Sequence, residues 1–532
     1  MPRFSRCSRR LTVAFVFVAC TVAPAAPPAA APIAPSTDAS VFEATGDPVS
    51  ATPLDKLVRA RLRKLGIIPS PLCSDAVFLR RAYLDVIGTL PTLGEAREFL
   101  DDRRPDKRQR LVERLLARPE YADYWAMRWS DLLRVKAEFP INLWPNAAQA
   151  YHHWIVQALR ENRPADVFAR ELLVSNGSNF RVGPVNFFRA VQSRDPEGLA
   201  KAVALTFFGM RAEHWPPERL AGLAGFFTAV RYKATGEWKE EIVFFDSGAP
   251  ADPAREPIFP DGTPASLAPR QDPREVLADW MLQPKHPWFA RALANRSWSW
   301  FFGRGIVDAP DDLRPDNPPV NPALLDYLEH ELIDSHYDLK NLFRLILNSQ
   351  TYQRSSLPMD PSPEAAANFA YYPVRRLEAE VLADALNQIT GGTDSYVSAI
   401  PEPFTFVPAD IRSIALPDGS ITGGLLETFG RSPRDTGLAA ERDNAINATQ
   451  RLHLLNSTHV LRKLEQGSAM RQLLKPDAYG GEPVVNRLYL TVLSRRPTQA
   501  EWARATKPDA GYTMLPDLAW ALINSPEFLY RH

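Results

Sequence analysis

Apolar positions recur at helical spacing along most of the chain beyond residue 53. Leu54, Leu57, Val58, Arg61 and Leu62 predict a first helix, which Gly66, Pro69 and Pro71 bring to a stop. Ser74 caps a second helix over 74–87, with Val77, Phe78, Arg81, Leu84 and Asp85 setting its two faces. The stretch Gly88 to Thr92 reads as a turn, and Thr92 with Glu95 makes a capping box for a helix over 93–100. Helices follow over 106–117 and 119–136, the latter carrying a stripe of Tyr121, Trp125, Trp129, Leu132 and Leu133. Three more, over 147–160, 164–174 and 196–208, are amphipathic, so each needs a neighbour to cover one face. The interval 223–245 breaks this pattern. Phe226 to Tyr232, then Thr235-Gly236-Glu237, then Trp238 to Phe245 predict a short β-hairpin, with Glu241 to Phe245 as its clearest strand. A Pro/Gly/Asp-rich run over 248–272 reads as a linker. Beyond it the pattern predicts helices over 273–282, 287–302, 321–335, 339–347 and 373–390, irregular chain over 392–430, and helices near 445–466, 482–493, 497–504 and 515–530. The expected fold is mainly α-helical: two linked helical domains, 54–247 and 273–531, with a small β-hairpin insertion.

The start of the chain follows a different logic. Arg3, Arg6, Arg9 and Arg10 form a basic region, the run Leu11 to Val22 is apolar, and an Ala/Pro tract extends to Pro35. That order is the layout of a secretory signal peptide, and the apolar run falls short of the roughly 20 residues a membrane span needs. The expectation is export to a periplasm or cell envelope, by cleavage within the Ala-rich tract. Lipid attachment at Cys20 is the alternative, weakened by Phe17 where a lipoprotein signal favours Leu. No later stretch supplies 18 continuous apolar residues, so no transmembrane domain is expected in the mature chain.

Composition narrows the partners. Without the four arginines of the leader, 58 basic side chains face 62 acidic ones, a net charge of −4, and no basic patch is interleaved with aromatics. Nucleic acid is therefore not an expected partner. Of three cysteines, Cys7 and Cys20 lie in the leader, so Cys73 alone cannot close an internal disulfide.

Candidate chemistry is sparse. The densest acidic loop places Asp308, Asp311, Asp312 and Asp316 within nine residues, enough oxygen for a hard cation such as Ca²⁺. The loop lacks EF-hand spacing, holds Arg314, and is braced by Pro310, Pro315, Pro318 and Pro319, which favours a solvated or salt-bridged connector. His214 is a further weak metal candidate but stands alone in sequence, and the adjacent His152 and His153 would diverge by about 100° on a helix. No Gly-x-Ser-x-Gly elbow, P-loop, dinucleotide fingerprint or His-Glu-x-x-His occurs, so no catalytic residue is assigned and no cofactor is expected.

Two long stretches carry a resemblance. Phe78 to Thr92, with Trp125 to Arg134, resembles the DUF1549 domain of large secreted proteins abundant in planctomycetes. Pro287 to Arg296, Phe301 to Asp312, His336 to Lys340, Ser349 to Gln353, Arg375 to Glu380 and Asp517 to Leu529 resemble the companion DUF1553 domain. The resemblance implies location and architecture more than activity. Many relatives look like c-type cytochrome proteins, with a Cys-x-x-Cys-His haem motif ahead of the first domain and cysteines just before a Glu-Arg pair in the second. Here Ser36 to Pro53 holds neither Cys nor His, and Leu438-Ala439-Ala440 precede Glu441-Arg442. The resulting expectation is a scaffold or interaction protein of the cell envelope without covalent haem, partnered by another exported protein. A hydrolase acting on envelope or extracellular polysaccharide, and a non-covalent redox or metal-binding module, are the alternatives.

Overall fold

A computed structural model describes residues 41–44, 46, 51–250, 252, 255–286, 288–476, 478–506 and 515–532. The leader, with Cys7 and Cys20, lies outside them. Helices dominate, with 23 α-helices among the described residues against two small antiparallel sheets.

The local signals work as physics requires. Thr52 and Asp55 form a reciprocal capping box at the start of Pro53–Leu65, and Gly66 closes that helix in the left-handed conformation. Ser74 caps Asp75–Val86, and Thr92 with Glu95 caps Leu93–Asp101. Asn321 caps Pro322–Asp334, and Asp338 caps Leu339–Leu347.

The expected hairpin is present but shifted. Strand β2 (Val230–Ala234) pairs with β3 (Glu241–Phe245), Tyr232 opposite Val243. Part of the apolar run before β2 belongs to the helix Pro217–Gly225. A two-residue strand, β1 (Gly177–Ser178), joins the other edge of β3.

Three expected helices differ from the pattern. The segment starting at Pro373 opens not as a helix but as β4 (Arg375–Arg376), with the helix beginning only at Ala379. Strand β4 pairs with β5 (Tyr530–Arg531), so the helix expected over 515–530 ends at Ile523 and, after the single turn Pro526–Leu529, becomes strand. The expected helix over 445–466 breaks into Ala448–Asn456 and Thr458–Gln466, because Ser457 leaves the helical conformation and caps the second piece.

The core does not stop at the 248–272 boundary, and Ser40–His532 clusters as one compact unit. The Trp125 indole, 1% exposed, lies against Phe343 at 4.3 Å, Trp300 at 5.3 Å and Phe301 at 5.6 Å between ring centres. The Asp55 carboxylate accepts from the backbone N–H groups of Gln350 and Thr351 at 3.0 and 2.8 Å. Arg81 donates to the carbonyls of Tyr352, Arg354 and His532. No described helix is long and apolar enough to cross a membrane.

Candidate functional site: an arginine-lined cleft

The cleft is built mainly from four pieces of chain, joined by Arg211 and by the 309–311 stretch that holds Asp311. Pro119–Leu132 starts with proline at its first turn and buries Trp125 on its core side, which turns Arg128 and Asp131 to the opening. Trp288–Phe302 contributes Arg296 and Trp300. Strand β4 contributes Arg375 and Arg376, and the connector 437–446 contributes Leu438, Ala439, Ala440 and Arg442. Gly303 adjoins Arg375 in a left-handed conformation (φ 74°), and a Cβ there would come within 2.3 Å of the Arg375 side chain. Only glycine lets the arginine lie against the backbone at this point.

Together these pieces line a cavity of about 560 Å³. Its ionisable lining comprises Arg128, Arg211, Arg296, Arg375, Arg376 and Arg442 against Asp131, Asp311 and Glu378, so the wall carries excess positive charge.

The carboxylates are all committed to arginines. Asp131 accepts from Arg434 at 3.0 Å and from Arg442 at 2.6 Å. Glu378 accepts from Arg128 and from Arg531, the latter at 2.7 Å. Behind the wall, Glu380 accepts from Arg442 at 2.6 and 3.1 Å. Burial alone would raise these glutamates, but Arg128 and Arg531 hold Glu378 well below the ordinary range, and Arg442 and Arg431 hold Glu380 at about 2. Deeper still, Asp85 accepts from the hydroxyls of Tyr352 and Tyr372, both at 2.8 Å, and pairs with Arg375 at 3.2 Å and Arg531 at 3.1 Å.

The arginines divide into two groups. Arg376 and Arg442 have every guanidinium nitrogen occupied: Arg376 by the carbonyls of Leu377, Phe429, Asp443 and Asn444, Arg442 by Asp131 and Glu380. The Arg211 guanidinium makes no hydrogen bond or ion pair with any described residue, and its Nε is buried without a partner. Arg128 and Arg375 each also keep a buried Nε without a partner. Buried donors of this kind are uncommon in folded proteins and carry a desolvation penalty until something accepts from them.

The five metal candidates are not brought together. Asp308 pairs with Arg304 at 3.2 Å, Asp311 with Arg296 at 3.0 Å, and Asp312 and Asp316 both with Arg314, at 2.8 and 3.2 Å. Asp311 also accepts from the backbone N–H of Ala439 at 2.6 Å, which pins the 437–446 connector across the cleft. His214 is exposed at the end of a short 3-10 turn and lines a separate groove with Trp215, Trp288 and Asp316. Among the described residues no group of three or more His, Cys, Asp or Glu side chains is placed to hold a metal ion. The acidic loop is thus a connector braced by arginines. His152 is buried, and burial with the nearby Arg434 and His153 charges pushes its pKa down to about 3.

Sequence reasoning missed Arg128, Asp131 and Arg211 as site residues. The one available signal was the charge of Arg375-Arg376-Leu377-Glu378-Ala379-Glu380, four ionisable side chains in six residues at the start of an expected helix.

Comparison with known families covers most of the described chain. Residues 53–210 match PSCyt2, a protein of unknown function (DUF1549), and residues 273–508 match PSD1, a protein of unknown function (DUF1553). No curated protein and no solved structure matches. The cleft draws on both segments, Arg128 and Asp131 from the first and Arg296, Arg375 and Arg442 from the second, and the chain is a DUF1549 domain joined to a DUF1553 domain.

Proposed function

We propose that this chain is an exported, non-catalytic binding protein of the cell envelope whose arginine-lined cleft takes an oxyanion, a carboxylate, phosphate or sulfate group carried by its ligand. The observation that carries this reading is the set of unoccupied donors: the Arg211 guanidinium without any described partner, and a buried, unpartnered Nε on Arg128 and on Arg375. A planar guanidinium fork matches an oxyanion geometrically, and charge-assisted bonds of this type are the stronger ones. Export rests on the basic-apolar-Ala/Pro order of residues 1–35.

The hydrolase alternative has less support. A general acid needs a carboxyl whose pKa is raised toward neutrality: Glu378 in the cleft is held in the opposite direction, and Glu441, which burial raises, is not among the residues lining the cavity and accepts from the backbone N–H groups of Asp435 and Thr436.

Isothermal titration of the full chain with inorganic phosphate, sulfate and citrate tests the reading and separates the three anion chemistries. At least one is expected to bind, more weakly as salt is raised. Arg211→Ala is expected to weaken that binding about 10-fold or more, the equivalent of about 1.4 kcal/mol. No binding by any of the three, or binding indifferent to Arg211→Ala, would overturn it.

A further inference from the structure

The break at Ser457 has a chemical result. On one straight helix His453 and His459 would sit roughly 9 Å apart along the axis and about 120° apart around it. The turn between Ala448–Asn456 and Thr458–Gln466 instead brings their ring centres to 5.8 Å. His453 Nε2 and His459 Nδ1 are both buried, and neither has a hydrogen-bond partner.

The other face of His459 is fixed. Its Nε2 lies 2.6 Å from Asp394 Oδ1, a carboxylate also bound by Lys463 at 2.9 Å and by the Asn387 amide at 3.1 Å. A neutral imidazole that donates from Nε2 to a carboxylate offers its Nδ1 lone pair to a metal ion. Here Nδ1 is the buried atom without a partner.

We infer that His453 and His459 form a two-imidazole site for a borderline divalent transition-metal ion, Cu²⁺, Zn²⁺ or Ni²⁺, with Asp394 orienting His459 from behind. Imidazole nitrogen suits these ions, and a ligating histidine whose second nitrogen donates to a carboxylate is the recurrent outer-shell arrangement. A metal–nitrogen bond of about 2.0–2.1 Å puts each ring centre roughly 3.2 Å from the ion, so two rings sharing it stand roughly 5–6 Å apart. The observed separation of 5.8 Å falls within that span. Two protein ligands leave coordination positions for water or an incoming donor, so the ion is exchangeable. Lys463 meets the same Asp394 Oδ1 that His459 Nε2 meets, so an ammonium shares the carboxylate that orients the imidazole. This site stands independently of the anion cleft.

The test uses the full chain without an affinity tag, stripped with a chelator and titrated with Cu²⁺ or Zn²⁺ alone. One equivalent is expected to bind, and the Cu²⁺ form is expected to show splitting from two imidazole nitrogens in its paramagnetic resonance spectrum. His453→Ala and His459→Ala are each expected to weaken binding at least 10-fold, Asp394→Asn about 10–100-fold, and His214→Ala not at all. His453→Gln, which keeps a polar side chain, serves if the alanine variant unfolds. Binding of less than one equivalent, one nitrogen or none in the spectrum, or an equivalent indifferent to both histidine substitutions would overturn the inference.

Discussion

At the scale of residues, the interior is held by buried charge as well as by apolar contact. Asp85, 3% exposed, faces two tyrosine hydroxyls and the guanidiniums of Arg375 and Arg531. Asp85→Asn leaves both cations without their counter-charge, so it is expected to lower stability by about 3–5 kcal/mol, read from the urea midpoint. His152 works through protonation. Its folded pKa is about 3 against an ordinary 6.5, so between those values the unfolded chain binds a proton that the folded chain refuses. Its contribution is complete above pH 6.5 and is lost as pH falls toward 3, at about 1.4 kcal/mol per pH unit. Glu378 and Glu380 have depressed values, so their contribution stays complete above about 4.5 and fails only below it. Between pH 6.5 and 5 His532, also pushed down to about 3 by burial, and His453, lowered as well, act in the same direction, so the share of His152 is read from the variant: His152→Leu is expected to reduce the slope of the urea midpoint there by about that amount. None of this was legible beforehand, because a sequence shows which residues are charged but not which distant charge each one meets. Asp85 and Arg531 lie more than 400 positions apart.

At the scale of elements, the hydrophobic pattern was informative wherever a cap and a periodic face agreed. The helices Asp75–Val86, Leu93–Asp101, Pro196–Phe208, Pro322–Asp334 and Leu339–Leu347 fall where their capping residues and apolar spacing put them. Trp125 illustrates the consequence. It was read as part of a core stripe, and it packs among Trp300, Phe301 and Phe343 while its indole donates to the Val86 carbonyl at 3.1 Å. Trp125→Ala is expected to cost about 3–5 kcal/mol in the same denaturant assay. The pattern failed where tertiary pairing overrode local preference: β4 and β5 exist only because each supplies the other's edge, and neither has a turn to announce it. The break at Ser457 also escaped notice, since a serine inside a helical pattern reads as a polar position as readily as a cap.

At the scale of the whole molecule, two family segments share one interior. Asp55 and Arg81 of the first reach backbone of the second, and Arg128 of the first pairs with Glu378 of the second. Residues 261–270 between the segments are mostly exposed. Limited proteolysis is expected to nick there, and the fragments are expected to co-elute in gel filtration and to unfold in a single transition. Fragments that separate without denaturant, or that melt in two steps, would contradict a shared core.

The pairing of β4 with β5 also bears on biogenesis. Arg531, 1% exposed, joins Asp85 to Glu378 behind the cleft wall, so that wall depends on a residue made after all of its other charged members. Until residue 531 has left the ribosome, Asp85, Glu378 and Arg128 face one another with a cation missing. A chain made only that far is expected to be more open to proteases than the finished one, which pulse-chase with limited proteolysis would read.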